Sequence, residues 1–305
     1  MKKILMAAVV FTSCVYGAFY DMGAGARSIG LGGSFTGIAD DANAMYYNIA
    51  GIGQMKEMTF TGTYSAYMSG FYEGYAAFVI PLYKKGAIGI GWTDTIAPYY
   101  NENIITLGYS YPVGKTFFIG AGVRMFMKSY SANEWTVLNS DFSSLSASGY
   151  GVCLSGFTKL GNDLSLGVSL ENLNQPDVSL KYGDPVASIY RIGASYKIMK
   201  DLTAAIQGDS RNGEIKAAVG SEYYINTKFL DSFGINDSSI AVRAGYIMGT
   251  SSLSSISAGF SFLFPTKAID IRLDYSLTLP IGYVDGVNTH RITINISEPK
   301  PLHAI

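Results

Sequence analysis

The feature that most limits the fold is a period-two alternation of apolar and polar side chains. It recurs in segments of about ten residues from Glu57 to Ser297, each followed by a turn. The segment from Ala268 to Thr278 is the clearest. Ile269, Ile271, Leu273, Tyr275 and Leu277 share one face, and Asp270, Arg272, Asp274, Ser276 and Thr278 share the other. Side chains on a strand point to opposite faces in turn, so this is a strand with one greasy and one charged side. The same pattern predicts strands over about 57–68, 72–82, 86–95, 103–111, 116–129, 148–159, 164–172, 187–198, 202–209, 213–225, 239–248, 255–264, 268–278 and 288–297. About fourteen strands is an even number, as a bacterial barrel with both termini on one side requires.

Two architectures share this alternation, a membrane barrel and a soluble β-sandwich. A sandwich should carry charge on its water-facing side, yet many polar faces here hold Gly and Ser. Charged residues are only 15 % of the chain, against roughly 25 % in an average soluble domain. Both points favour an all-β, antiparallel transmembrane β-barrel. Short connections at 83–86, 112–115, 161–163, 199–201 and 265–267 define one end, and longer ones near 96–102, 131–147, 173–186 and 279–287 the other. The 226–238 connection is long where a turn belongs. Tyr109, Tyr111, Phe117, Tyr196, Tyr223 and Phe264 sit near strand ends, as interfacial girdles do.

The N-terminus reads as a secretory leader over residues 1–17. Lys2 and Lys3 precede an apolar run from Ile4 to Phe11, and Val15 and Gly17 take the small-residue positions before Ala18. The alternatives are a hydrophobic first strand of a cytosolic protein, or a weak lipobox that would make Cys14 a lipidated terminus. Cutting after Gly17 removes two lysines and no acid, which moves the formal charge from −1 to −3. Cys153 would then be the only cysteine, leaving no disulfide and no thiolate cluster; it reads as a small packing residue. Nothing suggests a basic patch for nucleic acid, a metal site or a cofactor. His290 with Ser276 or Ser297 is the only conceivable hydrolytic pair, and only by co-occurrence.

Residues 18–56 do not alternate. They include Arg27, then Gly30, Gly32 and Gly33, then Ala39-Asp40-Asp41-Ala42-Asn43-Ala44-Met45-Tyr46-Tyr47-Asn48-Ile49-Ala50-Gly51. No Lys-Ser/Thr follows the glycines, so they are not a phosphate loop. Ala39 to Tyr47 reads as a short helix capped by Asp40 or Asp41. A compact Gly-rich segment ahead of a barrel's first strand has one natural place to go, the lumen.

The stretch from Arg27 to Gly51 resembles the PorV/PorQ-like group within the FadL-type outer-membrane barrels, which share an arginine, a Gly-rich run and Ala-Asp-Asp-Ala-x-Ala-x-Tyr-x-Asn-Pro-Ala-Gly. The resemblance implies fourteen strands over 57–297, a luminal hatch built on Arg27, Gly30, Gly33, Asp40, Asp41 and Asn48, and a short tail at 298–305. It implies contact with outer-membrane lipid and with either a small hydrophobic ligand, as in FadL-type transport, or exported protein cargo, as in type IX secretion. Ile49 stands where the pattern has proline, which changes the constraint on Asn48. The chain is short for a FadL-type transporter, and its last strand ends on Ile296 rather than an aromatic residue.

Two further groups are candidates. Arg124, Arg191, Glu214, Lys216, Arg243, Asp270, Arg272 and Asp274 fall on polar faces with Lys128, Glu171 and Glu222, a mixture that suits a self-neutralising lumen better than an open porin. Trp135, Phe142 and Leu145, with Val137 and Leu138, form an apolar set in the longest outer loop. That set could greet a greasy ligand or fold back on the rim.

Overall fold

A computed structural model describes residues 18–67, 70–140, 142, 144–227, 238–249, 254–281 and 288–299. The leader with Cys14, most of the 226–238 connection, residues 282–287, the last six residues and the Trp135 side chain lie outside that description.

The chain forms a closed antiparallel barrel of fourteen strands. They are β1 (Thr59–Ala66), β2 (Tyr72–Pro81), β3 (Ala87–Ala97), β4 (Tyr100–Val113), β5 (Phe117–Tyr130), β6 (Ser146–Leu160), β7 (Leu164–Glu171), β8 (Ile189–Met199), β9 (Leu202–Arg211), β10 (Glu214–Asn226), β11 (Ser239–Gly249), β12 (Ser254–Pro265), β13 (Asp270–Ile281) and β14 (Thr289–Ser297). Each strand pairs with its neighbours in sequence, and β1 closes on β14 with Thr63 opposite Thr293. Closure leaves no sheet edge, and it excludes the sandwich.

The alternation has a physical reading on both sides of the wall. Ile192, Ile206, Val219, Phe260 and Ile292 face outward and are exposed, while Arg191, Gln207, Glu222, Ser261 and Arg291 face inward and are buried. Tyr109, Tyr111, Phe117, Tyr196 and Tyr223 all point outward near one end, called here the turn end. Tyr64, Tyr72, Tyr150, Tyr190 and Tyr246 form a second outward set nearer the other, the loop end. Two aromatic belts around an apolar band suit a bilayer.

Loop-end connections are less uniformly long than the sequence suggests. The expected loop at 96–102 is a two-residue turn, Pro98-Tyr99, because pairing of β3 with β4 runs on to Ala97 and Tyr100. Tyr100 packs on Tyr130 of β5 at 4.7 Å, which favours the extension. Asn212 and Gly213, with φ of 49° and 82°, join β9 to β10 in the left-handed pair that matches strand twist.

Residues 18–56 fold inside the wall. Ala26–Gly30 is a helical turn, Ala44–Tyr47 a second, and Ile49–Gln54 a 3₁₀ stretch. The helix expected over Ala39–Tyr47 is therefore shorter. Ala39 has φ of 41°, which no right-handed helix accommodates; Asp41 Oδ1 accepts from Asn43 N at 3.0 Å at the start of the shorter turn, while its Oδ2 meets Arg27 and Arg272. Leu31, Phe35, Met45, Ala50 and Ile52 are essentially inaccessible. Each large apolar side chain buried this way contributes roughly 1.5–3 kcal/mol. The segment against the wall is thus the molecule's core, and Cys153 belongs to it.

Candidate functional site in the lumen

The Gly and Ser on the polar faces belong to the contact between the N-terminal segment and the wall. A Cβ on Gly120, Gly167, Gly220 or Gly245 would come within 3.0 Å of the main chain of Ala50, Thr36, Leu31 or Gly32. Only glycine lets two backbones approach so closely. Polar neighbours then satisfy the segment's peptide groups. Phe35 N and Thr36 N both donate to Gln207 Oε1 at 3.0 and 2.9 Å. Gly32 N donates to Ser257 Oγ at 3.1 Å, Ala50 N to Ser155 Oγ at 2.8 Å, and Ser110 Oγ to Ala50 O at 2.7 Å. Buried peptide groups need such partners.

The first charge cluster joins the segment to β10–β13. Arg27 meets Glu222 through Nε at 2.9 Å and Nη2 at 2.8 Å, and Asp40 and Asp41 through Nη1 at 2.5 and 3.0 Å. Arg243 Nε reaches Glu222 at 2.6 Å, and Arg272 ties Asp41 at 2.7 Å to Asp274 at 3.0 Å. Burial works against the Asp41 anion, but Arg272 and Arg27 outweigh it and hold its carboxyl at about 2. Asp40 is 44 % exposed and Glu222 2 %, so the cluster runs from a half-open acid to a sealed one.

A second cluster lies toward the loop end. Glu171 sits between Arg124 and Arg191, and Arg191 also meets Asp21 at 2.5 Å. Arg191 stacks on Tyr46 and Tyr47 at 5.6 and 5.7 Å. Burial disfavours the Asp21 anion, yet Arg191 and Lys216 hold it well below the usual carboxylate range. Lys216 covers the Tyr20 ring at 4.9 Å.

The remaining candidates are placed as follows. Asn48 is extended, with its side chain donating to Thr36 O and Gly156 O at 3.0 and 3.1 Å; this is the region a following proline also favours, so Ile49 does not move Asn48 out of it. Gly30 abuts Arg243 and Gly259, whereas Gly33 has open space around it and is required by its φ of 80°. Asp270 does not join Arg272 and Asp274 in the cluster. It stands at the turn end opposite Ser297, one strand repeat of roughly 6.8 Å from Arg272. Glu214 lies at the loop end opposite Arg211. Trp135 lies in a short helix, Glu134–Leu138, where Val137 and Leu138 are exposed. Phe142 packs edge-on to Tyr130 at 5.2 Å, and Leu145 O accepts from Tyr130 N at 2.8 Å, so this part of the loop folds back on the rim. His290 points outward to the Tyr275 hydroxyl while Ser276 points inward, so they form no hydrolytic pair. Ser297 lies seven residues further along the strand. Among the described residues no group of His, Cys, Asp and Glu is arranged to hold a metal ion.

Sequence reasoning placed residues 18–22 in the luminal segment but singled out no site residue among them, because they have no periodicity to mark them. They cross the lumen on the loop side as a strap. Phe19 packs edge-on against Phe126 at 4.9 Å in a nest with Val178 and Val186. Phe19 N donates to Glu102 Oε1 at 2.7 Å, Arg211 donates to Phe19 O at 3.2 Å, and Arg291 to Met22 O at 2.9 Å. Phe19 has φ of 63°, a strained conformation held by these contacts. Beside it, between Met45, Tyr46, Ile104 and Arg191, remains a space of about 30 Å³. That is far below the roughly 150 Å³ apolar cavity known to take benzene. A larger concavity of about 690 Å³ lies on the outer wall among Phe117, Leu166, Val168, Ile192 and Ile206, where lipid would fill it.

No protein-family model matches the sequence, and no curated protein matches it. Solved structures do match the fold. The chain is similar to a structure described as the CymD monoaromatic hydrocarbon channel, with 12 % identity, TM-score 0.64 and 94 % and 100 % of the two chains covered. It is similar to the Pseudomonas putida toluene transporter TodX at 13 % identity, TM-score 0.62 and coverage of 92 % and 99 %. It is also similar to a Pseudomonas aeruginosa FadL homologue at 9 % identity, TM-score 0.59 and coverage of 90 % and 98 %. The chain shares its fold with these structures.

Proposed function

We propose that the protein is exported by a leader cut near Gly17, resides in a bacterial outer membrane, and binds and passes small apolar molecules. The observation that carries this reading is the seat of Phe19. An aromatic ring from the strap occupies an apolar nest of Phe126, Val178 and Val186, on the loop side of the lumen. A ligand of similar shape can compete for that seat, and the free space beside it is too small to admit one unless Phe19 leaves. The similar CymD and TodX structures, a monoaromatic hydrocarbon channel and a toluene transporter, fit a ring-sized ligand.

Titration of detergent-purified protein with toluene tests it. Wild type should bind saturably. Phe19→Ala should bind at least tenfold more tightly, since a competing buried ring worth roughly 1.5–3 kcal/mol is gone. Absence of saturable binding by both proteins sinks this reading.

A second reading is a closed barrel that serves as a PorV/PorQ-type accessory of protein secretion or as a structural protein. The ring-excluding lumen and the resemblance at Arg27–Gly51 favour it. Unchanged secretion after deletion of the gene would count against it.

A further inference from the structure

We infer that Glu102 and Asp184 form a receptor site for an α-ammonium group, and that its ligand is the protein's own N-terminus at Ala18. The inference rests on the leader cleavage in the reading above but not on the identity of any transported ligand. Hydrolysis of the Gly17–Ala18 peptide bond by a leader peptidase consumes one water. It leaves a carboxylate on Gly17 and an ammonium on Ala18.

The geometry around Ala18 is built for that charge. Ala18 N lies 3.4 Å from Asp184 Oδ1, and the next nitrogen, Phe19 N, donates to Glu102 Oε1 at 2.7 Å. A peptide N–H at 3.4 Å makes a poor hydrogen bond. An ammonium has three donors and a full charge, and its bonds to carboxylates are shorter and stronger. Glu102 is 8 % exposed and forms no ion pair with a described Lys or Arg; its other partner is the Tyr100 hydroxyl at 2.5 Å. Lys128, the nearby cation, is paired with Asp184. Arg124 and Arg191 are committed to Glu171, and Arg191 also to Asp21. Two carboxylates therefore share one cation, and the α-ammonium supplies the second.

Position matters as much as charge. Consecutive Cα atoms are about 3.8 Å apart, so cleavage one bond earlier carries the ammonium away from both carboxylates, and cleavage one bond later leaves it on Glu102 alone. The site also joins separate elements, since Glu102 lies on β4, Lys128 on β5 and Asp184 in the connection between β7 and β8. Processing thus creates the group that fixes the outer end of the strap and seats Phe19.

Three measurements on protein matured in the membrane test the site. Intact-mass analysis should give Ala18 as the first residue. Labelling of the α-amine by an amine-reactive reagent at neutral pH should be at least tenfold slower in wild type than in Glu102→Gln/Asp184→Asn. A variant with Gly-Ser inserted before Ala18 keeps every native side chain and moves only the amine; it should label as fast as the double variant. A first residue other than Ala18, a retained leader, or a wild-type labelling rate equal to that of the extended variant overturns the site. Failure to bind toluene with a slow-labelling amine removes the transport reading and leaves the ammonium site standing.

Discussion

Arg27 and Glu222 stand 195 residues apart in sequence and meet through two parallel hydrogen bonds of 2.9 and 2.8 Å. The guanidinium comes from the first helical turn of the N-terminal segment and the carboxylate from the middle of β10, and both are buried. Removing one partner of such a pair strands a charge, at a cost of about 3–5 kcal/mol. Arg27→Met should therefore loosen the segment far more than it disturbs the wall. Limited proteolysis should cut within residues 23–56 while the strands remain protected. Equal protease resistance to wild type would show that Arg27 does not anchor the segment.

The close approach at Gly167 leads to a sharper test. Its Cβ position is occupied by the Thr36 carbonyl. Gly167→Val should displace the segment and open a conducting lumen, measurable as single-channel current in a planar bilayer. Gly208→Ala, whose added carbon makes only ordinary contact with Ile192 on the outer face, should stay closed. Matching behaviour of the two variants would contradict a wall-seated segment.

The pH dependence of the anchoring follows from Asp41. Its carboxyl is lowered from 3.8 to about 2 in the folded protein. A lowered carboxylate stabilises fully above its unfolded value and loses that stabilisation as pH falls through its folded value. Its contribution, roughly 2 kcal/mol, should be complete above about pH 4 and vanish between pH 4 and 2. Asp41→Asn should lack this step in a comparison of protease protection against pH. A step of equal size in the variant would assign the titration elsewhere.

Outward and inward faces should respond oppositely to charge. Ile192 is outward and 68 % exposed, and its neighbour Arg191 is inward and 2 % exposed. Ile192→Arg should destabilise the barrel in lipid by about 2–4 kcal/mol near the bilayer midplane. Urea unfolding in vesicles measures it, and a neutral effect would argue against lipid at this face.

The strands were legible because alternation is local: the burial of Asp274 beside an exposed Leu273 can be read from adjacent letters. The Gly and Ser of the polar faces were equally visible, but their partners were not. Ser257 serves Gly32 across 225 residues, and no short-range pattern encodes that. Arg27, Asp40 and Asp41 stood out as a charged group, and their resemblance to a known motif drew attention to them; Asp21 and Phe19 carried no such mark. The helix over Ala39–Tyr47 was misread because composition cannot reveal the left-handed Ala39. Asp270 was grouped with Arg272 by parity, which gives the face of a strand but not the depth in the lumen.

The most direct test is hydrogen exchange at residues 18–22 with and without saturating toluene. If an apolar ligand takes the seat of Phe19 against Phe126, amide exchange of the strap should speed up on binding while that of β4 and β5 stays unchanged. Unchanged or slower exchange at residues 18–22 with toluene bound would contradict displacement of the strap.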